Sequence, residues 1–197
     1  MPVFGVTGKL GSGKSTLLKL LSEKGARVYN VDRKIHQYYR DKNSRLYKKV
    51  AAVFAKALCK NKEISRKKLG EIVFADRKAL SKLEKIVHPA VIKDLKLWAA
   101  ANRKKRQVYI AEVPLLFEKN LQKFFDGVIL VVANRETALH RIQSKFGISR
   151  KEAIRRLSLF MPDKAKKKRA DFVVENNLTV KHLIREADIL WRKIKEM

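Results

Sequence analysis

Hydrophobic positions change their spacing along the chain, and those changes mark the elements. Val3-Phe4-Gly5-Val6 is a short apolar run ending in a glycine-rich turn, which predicts a buried strand. Leu17, Leu18, Leu20 and Leu21 sit at helical spacing and predict a helix from Ser15 to Glu23, stopped by Gly25 as its C-cap. A second short strand is predicted over 27–31. Leu46, Val50, Val53, Phe54, Ala57 and Leu58 then fall at i, i+4, i+7, i+8, i+11 and i+12, one face of a single helix. Helical pattern continues through 69–74 and 80–87, and Pro89 suits the first turn of a further helix reaching about Arg103.

Apolar, β-branched runs return at 107–113 and 127–133, as expected of central parallel strands. Residues 135–146 read as helix, and Ser149-Arg150-Lys151-Glu152 reads as a capping box opening another. Phe172-Val173-Val174 is a last short strand. Val180, Leu183, Ile184, Ala187, Leu190, Trp191 and Ile194 outline a closing amphipathic helix. Strands alternate with helices at both ends around a helix-only middle. That order predicts an α/β fold, with a parallel-sheet core from residues 1–35 and 104–197 and a helical insert over 36–103.

Charge adds a constraint on partners. Lys and Arg number 47 against 19 Asp and Glu, a formal net charge of +28. Such a surface attracts anions, nucleic acid among them. The basic residues are spread along most of the chain, so nucleic-acid binding is expected only as non-specific charge attraction. The densest runs, Arg103–Arg106 and Lys164–Arg169, read as solvated helix ends or loops, and phosphate-rich small molecules would suit the same surface. No apolar run approaches the roughly 20 residues of a membrane span. Met1-Pro2-Val3-Phe4 has no basic n-region, so no secretory leader is expected. The one cysteine, Cys59, reads as a buried small hydrophobe in a reducing cytosol, and a cytoplasmic location follows. Four scattered histidines imply no metal site.

The chemistry is carried by Gly8-Lys9-Leu10-Gly11-Ser12-Gly13-Lys14-Ser15, which fits G-x-x-x-x-G-K-[ST] between a predicted strand and a predicted helix, with Thr16 following. Its glycines let backbone N–H groups turn inward toward phosphate oxygens. The helix N-terminus adds its positive end. Lys14 would bring a full charge to the β- and γ-phosphates and Ser15 a hydroxyl to Mg²⁺, so ATP with Mg²⁺ is the expected ligand pair. No N-K-x-D motif of Ras-like GTPases is present, and 197 residues leave little room for motor machinery. A small-molecule kinase needs such a loop, an acceptor site with a general base, and cations around the transferred group, and the chain can supply these.

Further segments bring a resemblance. Gly5-Val6-Thr7-Gly8 leads into the loop where the dephospho-coenzyme A kinase family has G-L-T-G-G-I-G-S-G-K-S. Asn30-Val31-Asp32 stands where that family has D-A-D. Val73-Phe74-Ala75-Asp76 and Leu83 to Pro89 resemble its V-F-x-D and L-E-x-I-x-H-P segments, and Pro114-Leu115-Leu116-Phe117-Glu118 matches P-L-L-F-E. Arg141, Arg156, Pro162, Lys166, Ala170-Asp171 and Asn176 follow at the spacing of its C-terminal pattern. The resemblance implies a P-loop NTPase fold with a five-stranded parallel sheet flanked by helices, a helical substrate-binding insert, and a lid over about 141–169. It also implies ATP-dependent phosphorylation of the ribose 3′-hydroxyl of dephospho-CoA.

By that resemblance Asp32 matches the family's general base and Arg141 its catalytic arginine. Asn176 matches a residue beside the adenine, and Thr7, His88, Pro114, Leu115 and Glu118 would shape the acceptor site. Read alone, Asp32 would be a helix N-cap, Arg141 a solvated arginine, and Leu115 to Phe117 core. Two departures stand out: Asn30 replaces the first Asp of D-A-D, and Phe160 replaces a frequent Gln four residues after Arg156. Two other readings use the same loop, a kinase of the nucleoside monophosphate type and an ATP-hydrolysing nucleic-acid binding protein. The H-P and P-L-L-F-E segments speak against the first. The lack of an aromatic-interleaved basic motif speaks against the second.

Overall fold

Strands β1 (Val3–Thr7), β2 (Arg27–Asn30), β3 (Tyr109–Glu112), β4 (Gly127–Val132) and β5 (Phe172–Glu175) form one sheet in the order β2-β3-β1-β4-β5 in the computed structural model, which describes residues 2–197. β1 pairs in parallel with both β3 and β4, and β4 pairs in parallel with β5. β1 and β4 are buried at every position, which is why their sequences are unbroken apolar runs rather than alternating ones.

The helices are α1 (Lys14–Glu23), α2 (Val31–Arg40), α3 (Arg45–Val53), α4 (Arg66–Ala75), α5 (Arg77–Asn102), α6 (Arg135–Phe146), α7 (Arg150–Leu157), α8 (Asp163–Lys167) and α9 (Val180–Lys195). The chain divides into two compact units. One runs to Tyr29 and resumes over Ala99–Met197; the other is Asn30–Trp98.

In the first unit, Phe4 and Val6 of β1 and Ile129 and Val131 of β4 point to one sheet face, two residues apart as the pleat requires. Leu17 and Leu21 of α1 and Leu183, Ala187, Leu190 and Ile194 of α9 cover that face. Leu17 and Leu21 are fully buried, each stabilising the fold by about 1.5–3 kcal/mol. Two carboxylates tie strand ends. Asp126 Oδ2 accepts from Val3 N at 2.8 Å and Asp171 Oδ2 from Val128 N at 2.7 Å. The Asp of the Ala170-Asp171 pair therefore holds the sheet.

The second unit is helical and has its own core of Tyr39, Leu46, Tyr47, Val50, Phe54, Ala57, Ile64, Leu69, Val73 and Val87. Here the structure corrects three expectations. The apolar face read as one helix to Leu58 ends at Val53. Phe54 leaves helical geometry, a short 3₁₀ turn covers Ala55–Ala57, and Leu58 bridges back to Ile64. Phe54 and Ala57 stay buried, so the spacing reported burial but not continuity.

Pro89 does not start a helix; it lies inside the 26-residue α5. A proline there removes one i→i−4 hydrogen bond. Leu80, Leu83 and Ile86 before it and Ala90 and Val91 after it pack on the same core, which holds the helix through the gap. Cys59 is exposed rather than buried. It follows the 3₁₀ turn, where its N–H bonds to Glu63 O.

The basic runs also differ from each other. Arg103–Arg106 is an exposed turn after α5, with Arg103 Nε 3.0 Å from Asp126 Oδ1. Lys166, in the run expected to be solvated throughout, is fully buried. At Ser149 the hydroxyl caps α7 by accepting from Glu152 N. The Glu152 carboxylate, read as the returning half of a capping box, is held instead by Arg155 and Arg156, which push its pKa down to about 2. No helix of the described residues is long and apolar enough to cross a membrane.

Candidate active site

The loop between β1 and α1 is built by what surrounds it. Gly13 has φ +93°, and a Cβ there would lie 2.0 Å from Asn176 Nδ2. Gly11 has φ +76°, and a Cβ there would lie 2.6 Å from the Ala138 carbonyl of α6. Neither backbone conformation nor space admits a side chain at these positions. Lys14, nearly buried, curls its ammonium over the loop and donates to Gly8 O at 2.8 Å and Lys9 O at 3.0 Å. Ser15 and Thr16 are exposed on the first turn of α1, at the positive end of that helix. Ser12 is buried, and its Oγ has no hydrogen-bond partner among the described residues. An orphan hydroxyl, a cation and a helix N-terminus in one loop fit a phosphate chain.

Arg141 and Asn176 form a bracket on this loop. Asn176, buried after β5, donates from Nδ2 to Ser12 O at 2.9 Å. Arg141 of α6 donates from Nη1 to Asn176 O at 3.1 Å and to Gly11 O at 3.4 Å, and from Nη2 to Asn176 Oδ1 at 3.4 Å. Arg141 is therefore half-buried and fixed rather than solvated. Thr7 at the end of β1 is fully buried, and its hydroxyl donates to Pro114 O at 3.1 Å, joining β1 to the P-L-L-F-E turn. Within that turn Leu116 and Phe117 are core, while Pro114, Leu115 and Glu118 are half-buried.

Glu118, expected at the acceptor, pairs through one carboxylate oxygen with the 160–169 segment. Its Oε1 lies 2.8 Å from Lys166 Nζ and accepts from Met161 N at 3.1 Å. Burial alone would raise its pKa, but the bonds from Lys166 and the Met161 N–H outweigh burial and hold the carboxyl below its ordinary value. Phe160, one of the two departures, faces the same cation, its ring 5.7 Å from Lys166 Nζ. Nearby, Arg169 packs over the Phe117 ring and donates to Asn120 Oδ1 at 3.1 Å. The segment from 160 to 169 is thus pinned to the P-L-L-F-E turn.

In the helical unit Asn30, not Asp32, is the N-cap of α2, accepting from Arg33 N at 2.8 Å. Asp32 is left exposed in the first turn. One helical turn on, His36 shares its face. His36, Tyr39, Arg40, Ser65 and Arg66 line a cavity of about 240 Å³. Burial and the Arg66 charge lower the His36 pKa against the opposing pull of Asp32. Burial raises Tyr39 to about 12. His88 is half-buried on α5. Sequence reasoning missed the His36–Arg66 grouping. The i+4 spacing from Asp32 was a usable signal for His36, whereas Arg66 reaches the group only through the fold.

No group of three or more His, Cys, Asp or Glu among the described residues could hold a metal by itself. A Mg²⁺ ion that takes most of its ligands from phosphates and water, with Ser15 as a protein ligand, fits this donor set.

Comparisons with known proteins add to this geometry. Residues 2–182 match the family model described as dephospho-CoA kinase. A dephospho-CoA kinase of Fusobacterium nucleatum is 38% identical over 189 residues, covering 94% of this chain and 95% of that protein. One of Aquifex aeolicus is 34% identical over 195 residues, covering 98% of each chain. The solved dephospho-CoA kinase of Campylobacter jejuni superposes with a TM-score of 0.72 at 28% identity, covering 98% of this chain and 97% of that one.

Proposed function

The chain belongs to the dephospho-CoA kinase family, and we propose that it transfers the terminal phosphoryl group of ATP to the ribose 3′-hydroxyl of dephospho-CoA, giving CoA and ADP. The observation that carries this reading is the match over residues 2–182 in a chain whose phosphate loop is folded and bracketed by Arg141 and Asn176.

In this reading Lys14 leaves the carbonyls of Gly8 and Lys9 for the β- and γ-phosphate oxygens. Backbone N–H groups of the loop and the Ser12 hydroxyl take up the remaining oxygens. Ser15 would hold Mg²⁺, which would supply charge neutralisation on the phosphates. Arg141, held by Asn176, offers its guanidinium to the charge that develops on the transferred group. Asn176 borders the adenine. The helical unit binds the acceptor. There Asp32, exposed on the first turn of α2, orients the ribose hydroxyl and accepts its proton. His36, Arg66 and His88 contact other parts of the acceptor, as do Pro114 and Leu115. Thr7 acts through Pro114. Residues 141–169 act as the lid that excludes water and so favours transfer over hydrolysis. The reaction is placed in the cytoplasm.

The test is purified protein with ATP, Mg²⁺ and dephospho-CoA, following CoA and ADP by chromatography beside an Asp32→Ala control. CoA formation that collapses in the control is expected. Phosphorylation of nucleoside monophosphates in place of dephospho-CoA would overturn the acceptor assignment.

A further inference from the structure

Lys9 stands where the family's loop has its second glycine, so this loop carries a cation beyond Lys14. That cation is paired. Lys9 Nζ lies 3.3 Å from Asp163 Oδ2, at the start of α8. Both side chains are about three-quarters buried, with 25% and 28% of their surface exposed. Asp163 Oδ1 is buried and has no hydrogen-bond partner among the described residues. The pair borders a cavity of about 300 Å³ that Ser12, Arg135 and Ser158 also line. A carboxylate is therefore held against a loop built for phosphate, with Lys9 neutralising it. A polyphosphate entering beside Lys9 competes directly with Asp163 for the same ammonium, because both are oxyanions.

We propose that Lys9 and Asp163 form an exchangeable ion pair that sets the affinity of the loop for polyphosphate: Lys9 gives up Asp163 for phosphate oxygens when nucleotide binds. Asp163 then acts as a built-in competitor that weakens nucleotide binding. Lys9 both screens that carboxylate and serves as a second loop cation. The inference rests on the loop holding a nucleoside triphosphate.

The experiment measures ATP dissociation constants by calorimetry for wild type, Asp163→Asn, Lys9→Gly and Lys9→Arg. Inhibition constants for inorganic tripolyphosphate come from displacement of a fluorescent ATP analogue. Asp163→Asn is expected to tighten ATP by about two- to fivefold, the range of a partly exposed ion pair. It should tighten tripolyphosphate by the same factor, since that probe has no base or ribose. Lys9→Gly should weaken both, and Lys9→Arg should keep near-wild-type affinity.

A merely structural tie between loop and α8 would give the opposite sign, because Asp163→Asn would loosen the site and weaken binding. Unchanged or weaker ATP binding in Asp163→Asn, at wild-type melting temperature, overturns the inference. So does tightening for ATP without tightening for tripolyphosphate. Wild-type protein that binds neither ligand overturns the nucleotide reading itself, and this inference with it.

Discussion

The two units of this protein present their functional side chains in opposite ways. In the sheet unit Lys14, Arg141, Asn176 and Thr7 are locked. Lys14 is held by two carbonyls, Arg141 and Asn176 hold each other and the loop, and Thr7 is bonded to Pro114. In the helical unit Asp32 stands exposed on the first turn of α2, and the cap that fixes that turn is its neighbour Asn30. Phosphate binding rewards donors already gathered in one loop, where Lys14 has only to exchange two carbonyls for phosphate oxygens. A general base needs a carboxylate that can reach the hydroxyl whose proton it takes. The contrast teaches that stability and chemistry are tightly coupled in the first unit and separable in the second.

The largest effect should come from the separable side. Asp32→Asn is expected to lower kcat by about 10²–10⁴-fold. Thermal stability should move by no more than about 0.5 kcal/mol, because the side chain is exposed and is not the cap. A melting temperature that falls along with activity would break the comparison.

On the locked side, Lys166→Met strands the Glu118 carboxylate and should cost about 3 kcal/mol of folding stability, read from urea unfolding. Glu118→Gln should change how stability depends on acid. Its folded pKa is depressed, so its contribution is complete above the unfolded value near ~4.3 and fades as pH falls through the lower folded value. As pH falls from about 4.3 toward that lower value, the wild type should therefore lose more stability than the variant. Parallel pH profiles would show that Glu118 is not coupled to folding.

Gly13→Ala forces a side chain into φ +93° and onto Asn176. It should lower stability by about 1–3 kcal/mol and weaken ATP binding together, the coupled response that Asp32→Asn lacks. The smallest effect is expected from Asn30→Asp, which restores the family residue. Asn and Asp cap helices alike, so stability should stay within about 0.5 kcal/mol. Any change in the Mg²⁺ dependence of kcat then reports on the missing charge alone.

How much could be read ahead differed between the units for the same reason. In the sheet unit β1 and β4 are short apolar runs and α6 and α9 carry apolar positions at helical spacing, so these elements were legible within a residue or two. The phosphate loop was legible because its glycines, lysine and serine meet local geometric needs over a few consecutive residues. In the helical unit the apolar spacing identified buried positions such as Val50, Phe54 and Ala57, but not that the helix stops at Val53 or that α5 runs through Pro89. Those outcomes depend on what packs against each face, which spacing along one segment does not encode.

The amino-acid sequence by itself determined the alternation of strands and helices, the loop and its chemistry, and the family resemblance, because each rests on residues close together in the chain. Only the tertiary structure decided which distant charges meet. It buried Lys166 against Glu118, fastened Arg141 to Asn176, and set Asp163 on Lys9. A run of lysines looks the same in sequence whether its members face water or a carboxylate many residues away. The energy of a buried or half-buried charge depends on that neighbour and on the water excluded around it, and both exist only once the chain has folded.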